Sequence, residues 1–393
     1  MIEKSGKKMI TREEFELLCR ADVREAIEAN LGRDSVAVAL DRRIEHASTV
    51  ATQVKYLERA RRKLPSFYAA RCIMPSLAFG QSSSEECAAR KHLAGGSAVD
   101  LTCGLGVDAW GLSQRFERVV AVERDEVLAD IARENFRRLG IDNVEVVCDT
   151  AEHFAATCTE RFDWCFVDPD RRGADGGKRV LLEDCSPDIT QLLPVLLDKI
   201  AKKACIKLSP MFDVDEAHRI FGRCSVETVS LGDECKEVLV YIDPDREPSL
   251  TAAAVGKGEF SVPYGGAEEV VNEPFEPGKY GWLIVPDVAL QKARLVRRCL
   301  APAAFVAGEN GFAFAAERPA EDVLGRVFAI GSIERYEPRR LRRELKGCRA
   351  EILLRDVPLT LGAVLKAAGL REGGDLRIAF TSIEGEIWVI RLK

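Results

Sequence analysis

The chain has 393 residues, enough for two or three domains, and its 47% hydrophobic and 31% charged residues are mixed well enough to build cores, which excludes wholesale disorder. A net charge of -6 carries no global basic excess of the kind that announces a nucleic-acid binder. No run reaches the roughly 18 apolar residues of a membrane-spanning helix, so no membrane partner is expected. The N-terminus, Met1-Ile-Glu-Lys-Ser-Gly-Lys-Lys8, lacks an apolar stretch, and a cytoplasmic location is expected. The 13 cysteines are scattered, with no C-x-x-C pair, and read as reduced thiols that fill cores. The four histidines have no zinc-like spacing, so no metal is expected.

The first 95 residues are expected to form a helical domain. Thr11-Arg-Glu-Glu14 is a capping box ahead of Phe15 and Leu18. Val50, Val54 and Leu57 fall on one helix face, and Pro65 stops that helix. Its other face carries Lys55, Arg59, Arg61, Arg62 and Lys63 against the single acid Glu58. A solvated face and a polyanion contact both fit that pattern.

From residue 96 to 245 strands and helices alternate. Strands are expected at 98–101, 119–122, 144–147, 162–167 and 204–208, with helices at 125–139 and 187–202. Two more strands near 226–231 and 237–242 make an antiparallel hairpin at the sheet edge. Such alternation predicts a doubly wound parallel sheet with its ligand at the carboxyl ends of the strands. Residues 245–275, richer in glycine and proline, read as a linker or an irregular entry strand. A ferredoxin-like β-α-β-β-α-β unit is expected over 246–333, with helices at 288–300 and 319–324. The tail, 334–393, offers an arginine-rich helix, a strand at 351–354, a helix at 360–368 and strands at 375–380 and 386–391.

The chemistry sits at the strand ends. The first strand closes on Asp100-Leu-Thr-Cys-Gly104-Leu-Gly106-Val-Asp108, where two glycines let a ligand approach the backbone. The second ends in Glu123, placed to accept from both hydroxyls of a ribose. Asp149 follows the third, where an acceptor reads the exocyclic amine of adenine, and Asp168-Pro169 follows the fourth. Gly104 to Ala109 also fits a dinucleotide fingerprint. However, Asp100 and Asp108 flank the turn, which suits a cationic group better than a pyrophosphate.

These residues, with Gln81-Ser-Ser-Ser-Glu-Glu86-Cys-Ala-Ala-Arg-Lys91, Asp168-Pro-Asp-Arg-Arg172, Lys207-Leu-Ser-Pro-Met211, Leu354-Arg-Asp-Val-Pro-Leu-Thr-Leu361 and Gly373-Gly-Asp375, resemble a known family. It is the class I S-adenosylmethionine-dependent methyltransferases, and more closely those with a C-terminal THUMP-like domain. The resemblance implies an α/β fold: a Rossmann-like seven-stranded sheet, an N-terminal helical region, and C-terminal α+β modules, ferredoxin-like over 246–333 and THUMP-like over 334–393. It implies S-adenosylmethionine as cofactor and RNA, usually tRNA, as substrate.

Carried over residue by residue, the resemblance puts Ser84, Asp100, Thr102, Cys103, Gly104, Gly106, Asp108, Glu123, Arg124 and Asp149 around the cofactor, with Asp100 and Asp108 holding its ammonium. Asp168 and Pro169 become the catalytic pair that accepts hydrogen bonds from a target amine, for in-line transfer to a base nitrogen. Amino-methyltransferases of the class carry a second proline and an aromatic next; here Asp170 and Arg171 replace them. Asp170, Arg171 and Arg172 are assigned to substrate. So are Arg339, Arg340 and Arg343, from the cluster Arg335, Arg339, Arg340, Arg342, Arg343, Lys346 and Arg349, as a phosphate footprint. A methyltransferase for a small molecule or protein side chain, and a non-catalytic binder of the same cofactor, are the alternatives.

Overall fold

The computed structural model describes residues 10–170, 182–266 and 274–393. The chain divides into two compact units. One comprises Met1–Leu208, His218–Cys224 and Val240–Arg246; the other comprises Ser209–Ala217, Ser225–Leu239 and Glu247–Lys393.

The first unit opens with helices, beginning at Arg12–Cys19. Its cap Thr11 forms the reciprocal box with Glu14. The helix Ala47–Lys63 buries Val50, Val54 and Leu57, and Pro65 starts the next one, Pro65–Ala69. These helices share a core with Leu105, Val107 and Ile131, so no separate core marks a boundary near residue 95. Asn135 strengthens the join: its side chain accepts from the Ile73 N–H (2.7 Å) and donates to the Ile73 carbonyl (3.1 Å).

The strands follow as β1 (Gly95–Asp100), β2 (Phe116–Glu123), β3 (Val144–Cys148), β4 (Phe162–Val167) and β5 (Ala201–Leu208). Their parallel order is β3-β2-β1-β4-β5. Then come β6 (Ser225–Leu231) and β7 (Glu234–Ile242), joined through Gly232 and Asp233 at φ 60° and 63°. Two positive φ values make the tight turn that matches strand twist. In the first unit the end of β7 lies next to β5. The α/β Rossmann-like class expected from the sequence is the class observed. Gly106 stands at φ 87°, and a Cβ there would come 2.8 Å from the Phe136 ring. Gly106→Ala is expected to destabilise the fold by about 2 kcal/mol, through backbone strain plus overpacking. An unchanged thermal midpoint would contradict that.

The second unit departs from expectation. The order β7-β6-β8-β9 adds β8 (Ser249–Ala254), parallel to β6, and β9 (Gly258–Pro263), antiparallel to β8. The hairpin is therefore not at the sheet edge, and of the two readings of 245–275 the entry strand, not the linker, is the one observed. Ser249-Leu-Thr-Ala-Ala-Ala254 has a single β-branched residue, Thr251, yet Ala252 and Ala254 bury against Ile284 and Leu290.

The remaining strands are β10 (Trp282–Pro286), β11 (Phe305–Val306), β12 (Ala313–Ala315), β13 (Gly325–Arg335), β14 (Arg349–Leu354), β15 (Arg371–Glu372), β16 (Leu376–Ile383) and β17 (Glu386–Leu392). They form one sheet, β11-β12-β10-β13-β17-β16-β14-β15. The first four take the order β11-β12-β10-β13, every pair antiparallel, which is the ferredoxin-like order expected over 246–333. Residues 319–324, where the second helix of that unit is expected, are not helical. β13 pairs β10 through residues 325–329 and β17 through 330–335, with a register shift at Ile330/Ser332. The expected boundary at 333/334 thus falls inside a strand. Helices Pro338–Leu345 and Leu361–Ala368 bury Leu341, Leu345 and Val364 against Ile378 and Phe380.

Candidate active site

The carboxyl ends of the first unit's strands gather the acids. Asp100, closing β1, is fully buried. Its Oδ1 accepts from the Thr102 N–H (2.9 Å) and the Thr102 hydroxyl (3.3 Å), while Oδ2 is buried without a hydrogen-bond partner. Burial, reinforced by the nearby charge of Asp108, pushes this carboxyl up to about 8. The Thr102 hydroxyl in turn accepts from the Asp168 N–H (2.7 Å), which ties the end of β4 to that of β1.

The turn comes next in the chain. Gly104 has φ 55°, and a Cβ there would meet nothing nearer than the Thr102 carbonyl at 3.9 Å, which leaves its backbone open to approach. Its N–H donates to Glu123 Oε2 (2.7 Å), and the Asp125 N–H donates to Oε1 (2.9 Å). Burial raises the Glu123 carboxyl despite these bonds. Cys103 is a wall residue whose thiol burial holds far above its usual range. The Asp149 N–H donates to the Glu123 carbonyl (3.0 Å), and its carboxylate meets Thr150 N–H (2.8 Å) and His153 Nδ1 (2.7 Å). Arg124 donates to the Ser186 hydroxyl (2.8 Å).

Asp108 behaves differently from its assignment. The sequence reading gives it a ligand's ammonium, but its oxygens are filled from within the protein. Lys91 Nζ lies 2.5 Å from Oδ1; the Ser83 hydroxyl (2.9 Å) and Lys207 Nζ (3.3 Å) reach Oδ2. Although burial opposes it, Lys207 and Lys91 hold this carboxyl well below the ordinary range. Lys207 also reaches Asp168 Oδ2 at 2.5 Å. A line Lys91, Asp108, Lys207, Asp168 therefore crosses the site. Asp168 is raised by burial, against the pull of Lys207.

Ser84 caps the helix Glu85–Arg90, accepting from the Cys87 N–H (3.2 Å). Pro169 is buried, and Asp170 exchanges backbone hydrogen bonds with Ser186 (2.8 and 3.0 Å). Arg171 and Arg172 lie outside the described residues. Arg339, Arg340 and Arg343 lie in the second unit, on the helix Pro338–Leu345; Arg340 is paired with Glu334 and Glu344 at 3.0 Å each. Sequence reasoning gave no role to Lys91, Lys207 or Ser83. The available signal was a lysine one residue from the end of an otherwise apolar strand, Ala204-Cys-Ile-Lys-Leu208.

The donor and acceptor set fits a ligand with a cationic head, a ribose and a base. A buried carboxylate oxygen awaits a donor, an open glycine admits a backbone approach, and acids stand after the next two strands. No helix among the described residues is long and apolar enough to cross a membrane.

No protein-family model matches the chain. It is 30% identical over 116 residues to a tRNA/tmRNA (uracil-C(5))-methyltransferase of Shewanella oneidensis, covering 24% of this chain and 32% of that protein. It is 36% identical over 105 residues to a 23S rRNA (uracil(1939)-C(5))-methyltransferase of Alkalilimnicola ehrlichii, covering 24% of each. The match thus spans a third or less of these relatives. A crystal structure assigned as a methyltransferase from Porphyromonas gingivalis W83 superposes with a TM-score of 0.80 at 22% identity, over 98% of this chain and 99% of that one. The full chain therefore shares the fold of that structure.

Proposed function

We propose that this protein binds S-adenosylmethionine at the carboxyl ends of β1 to β4 and methylates a base of RNA, at nitrogen, with tRNA the expected class. The observation that carries the reading is Asp100: a wholly buried carboxylate with one oxygen unpartnered, beside an open glycine turn. Such a group is costly unless a cation completes it. The cofactor supplies, when bound, an electrophilic methyl on a positively charged sulfur. Asp100 would take its ammonium, and Glu123 its ribose hydroxyls while bracing the Gly104 turn. Asp149 would take the adenine amine. Asp108 holds Lys91 and Lys207 in place, with both of its oxygens already engaged by donors from the protein.

Asp168 is the group that meets the substrate. Lys207 fixes Oδ2, which leaves Oδ1 and the Pro169 carbonyl to accept from the target amine and align its lone pair. The proton released from nitrogen passes to Asp168 or water, so no strong base is required. The relatives' names indicate uracil C5, and a carbon target needs a nucleophile to enrich the ring first. Cys103, the thiol in the turn, is walled in and held protonated, which favours nitrogen. We read 334–393 as a THUMP-like module that shares β13 with its neighbour and offers Arg339 and Arg343 to phosphate.

The test is incubation with methyl-labelled cofactor and total cellular RNA, followed by nucleoside analysis. An N-methylated nucleoside is expected; 5-methyluridine would move the target to carbon, and label only in protein or metabolites would reject an RNA substrate. Asp168→Ala is expected to lower transfer by roughly 10² to 10⁴-fold while affinity for S-adenosylhomocysteine stays within about twofold. Unchanged transfer would remove Asp168 from the mechanism.

A further inference from the structure

We propose that the outer face of the helix Ala47–Lys63 is the surface on which this protein docks the phosphate backbone of its RNA, a reading that rests on the RNA substrate proposed above. The helix is two-sided. Val50, Val54 and Leu57 lie against the core. Lys55, Arg59 and Arg62, at the same i, i+4, i+7 spacing, stand exposed on the far side. The one acid of the helix, Glu58, is already engaged by Arg61 (3.4 Å) and by the Gly32 N–H (2.9 Å). Among the described residues no carboxylate lies within ion-pair distance of Lys55, Arg59 or Arg62. A surface charged only for solubility mixes signs; this one carries a single sign.

Aromatic rings are interleaved with the cations. Tyr56 is flanked by Arg59 (5.5 Å to the ring centroid) and Lys55 (5.7 Å). Tyr68, on the following helix, is flanked by Arg71 (4.7 Å) and Arg61 (5.4 Å), which are paired with Glu28 and Glu58. Among the described residues the uncompensated cations of this face are therefore Lys55 and Arg59, beside Tyr56, and Arg62. Both rings are half-buried. Cations beside accessible ring surface are the combination that single-stranded nucleic acid uses, phosphate on the charge and base on the ring. The arginine helix Pro338–Leu345 is a weaker candidate, because Arg340 is neutralised by Glu334 and Glu344 and Arg342 donates to the Lys366 carbonyl (3.2 Å).

The face is also coupled to the site. Lys63 closes the helix by donating to the Phe79 carbonyl (2.7 Å). One turn on, the buried Glu85 accepts from Ser66 N–H (2.8 Å), Ser66 hydroxyl (2.9 Å) and Phe67 N–H (3.2 Å). Glu85 opens the helix that begins two residues after Ser83, a partner of Asp108 and Lys207. RNA held on the helix Ala47–Lys63 is thereby registered against the reacting groups through carboxylate bonds rather than a loop.

The experiment uses the full chain and fluorescently end-labelled, unfractionated tRNA, with anisotropy titrations from about 50 to 200 mM KCl. The variant Lys55→Glu/Arg59→Glu/Arg62→Glu is expected to bind at least tenfold more weakly. The neutral variant Lys55→Gln/Arg59→Gln/Arg62→Gln should lower the slope of log affinity against log salt by about 2 to 3, as loss of three phosphate contacts requires. Both should bind S-adenosylhomocysteine as the parent does, since these side chains are exposed and outside the cofactor site. If the parent binds tRNA and both variants bind it equally well with the same slope, this docking surface is wrong while the RNA reading stands. If the parent binds the cofactor but no tRNA at any salt, the RNA reading falls and the docking surface falls with it.

Discussion

Asp108→Ala is expected to destabilise the folded protein by about 3–5 kcal/mol, the largest loss from any single substitution in the site. The carboxylate lies between two ammonium groups, one of them on a lysine only 2% exposed. Removing it takes away the charge shared by two ammonium groups in a poorly solvated place, and a buried ion pair broken by loss of one partner is strongly destabilising. Urea unfolding at neutral pH measures the effect. A loss below about 1 kcal/mol would mean that water reaches both lysines and that the line from Lys91 to Asp168 is not a buried network. Lys91→Met with Asp108→Leu should be less damaging than Asp108→Ala alone, because it removes charges of both signs together.

Asp100→Asn should separate stability from binding. The carboxyl, ordinarily near 3.8, stands at about 8 in the folded chain because of burial first and the charge of Asp108 second. The folded state keeps a proton that the unfolded chain releases from about pH 4 upward. Asp100 therefore contributes no penalty below about pH 4, and an increasing one as pH rises to about 8. Each unit is worth about 1.4 kcal/mol, partly offset in the variant by an amide N–H₂ left without a partner, at about 1–3 kcal/mol. The variant should be roughly 3–5 kcal/mol more stable than the parent at pH 8, with the advantage gone at pH 4. Its affinity for the cofactor should fall by about 10² or more, since an amide cannot neutralise an ammonium. Thermal midpoints from pH 4 to pH 8, with calorimetry against S-adenosylhomocysteine, test both arms. Equal midpoints across that range, or undiminished affinity, would remove Asp100 from the centre of the site.

The acids at the ends of β1, β2 and β4 were legible because parallel strands announce themselves by short apolar runs, and the residue closing each run must stand at the ligand-binding rim. Glu123 and Asp168 could be placed on that logic alone. Lys91 and Lys207 could not: the first lies beyond a helix and the second inside a strand, and only the fold brings both to Asp108. The same limit applied to β8, whose Ala252-Ala-Ala254 carries no strand signal until Ile284 and Leu290 cover it. The ferredoxin-like strand order could be expected from the alternation of elements, but its missing second helix and the double pairing of its last strand could not, because periodicity finds elements and not all their pairing partners. Nothing in Phe328-Ala-Ile330 says that β13 should serve two neighbours in succession.

That last strand limits how the protein can be dissected. A fragment starting at residue 334 would retain β17 yet lose most of the strand that covers its flank, where Ile330 to Arg335 meet Leu392 to Trp388. A row of bare amides and carbonyls on an apolar ribbon invites copies of the fragment to stack edge to edge. Recombinant pieces meant to isolate the tail should therefore begin upstream of β10, at the glutamate and proline that precede Lys279, where no ladder is severed.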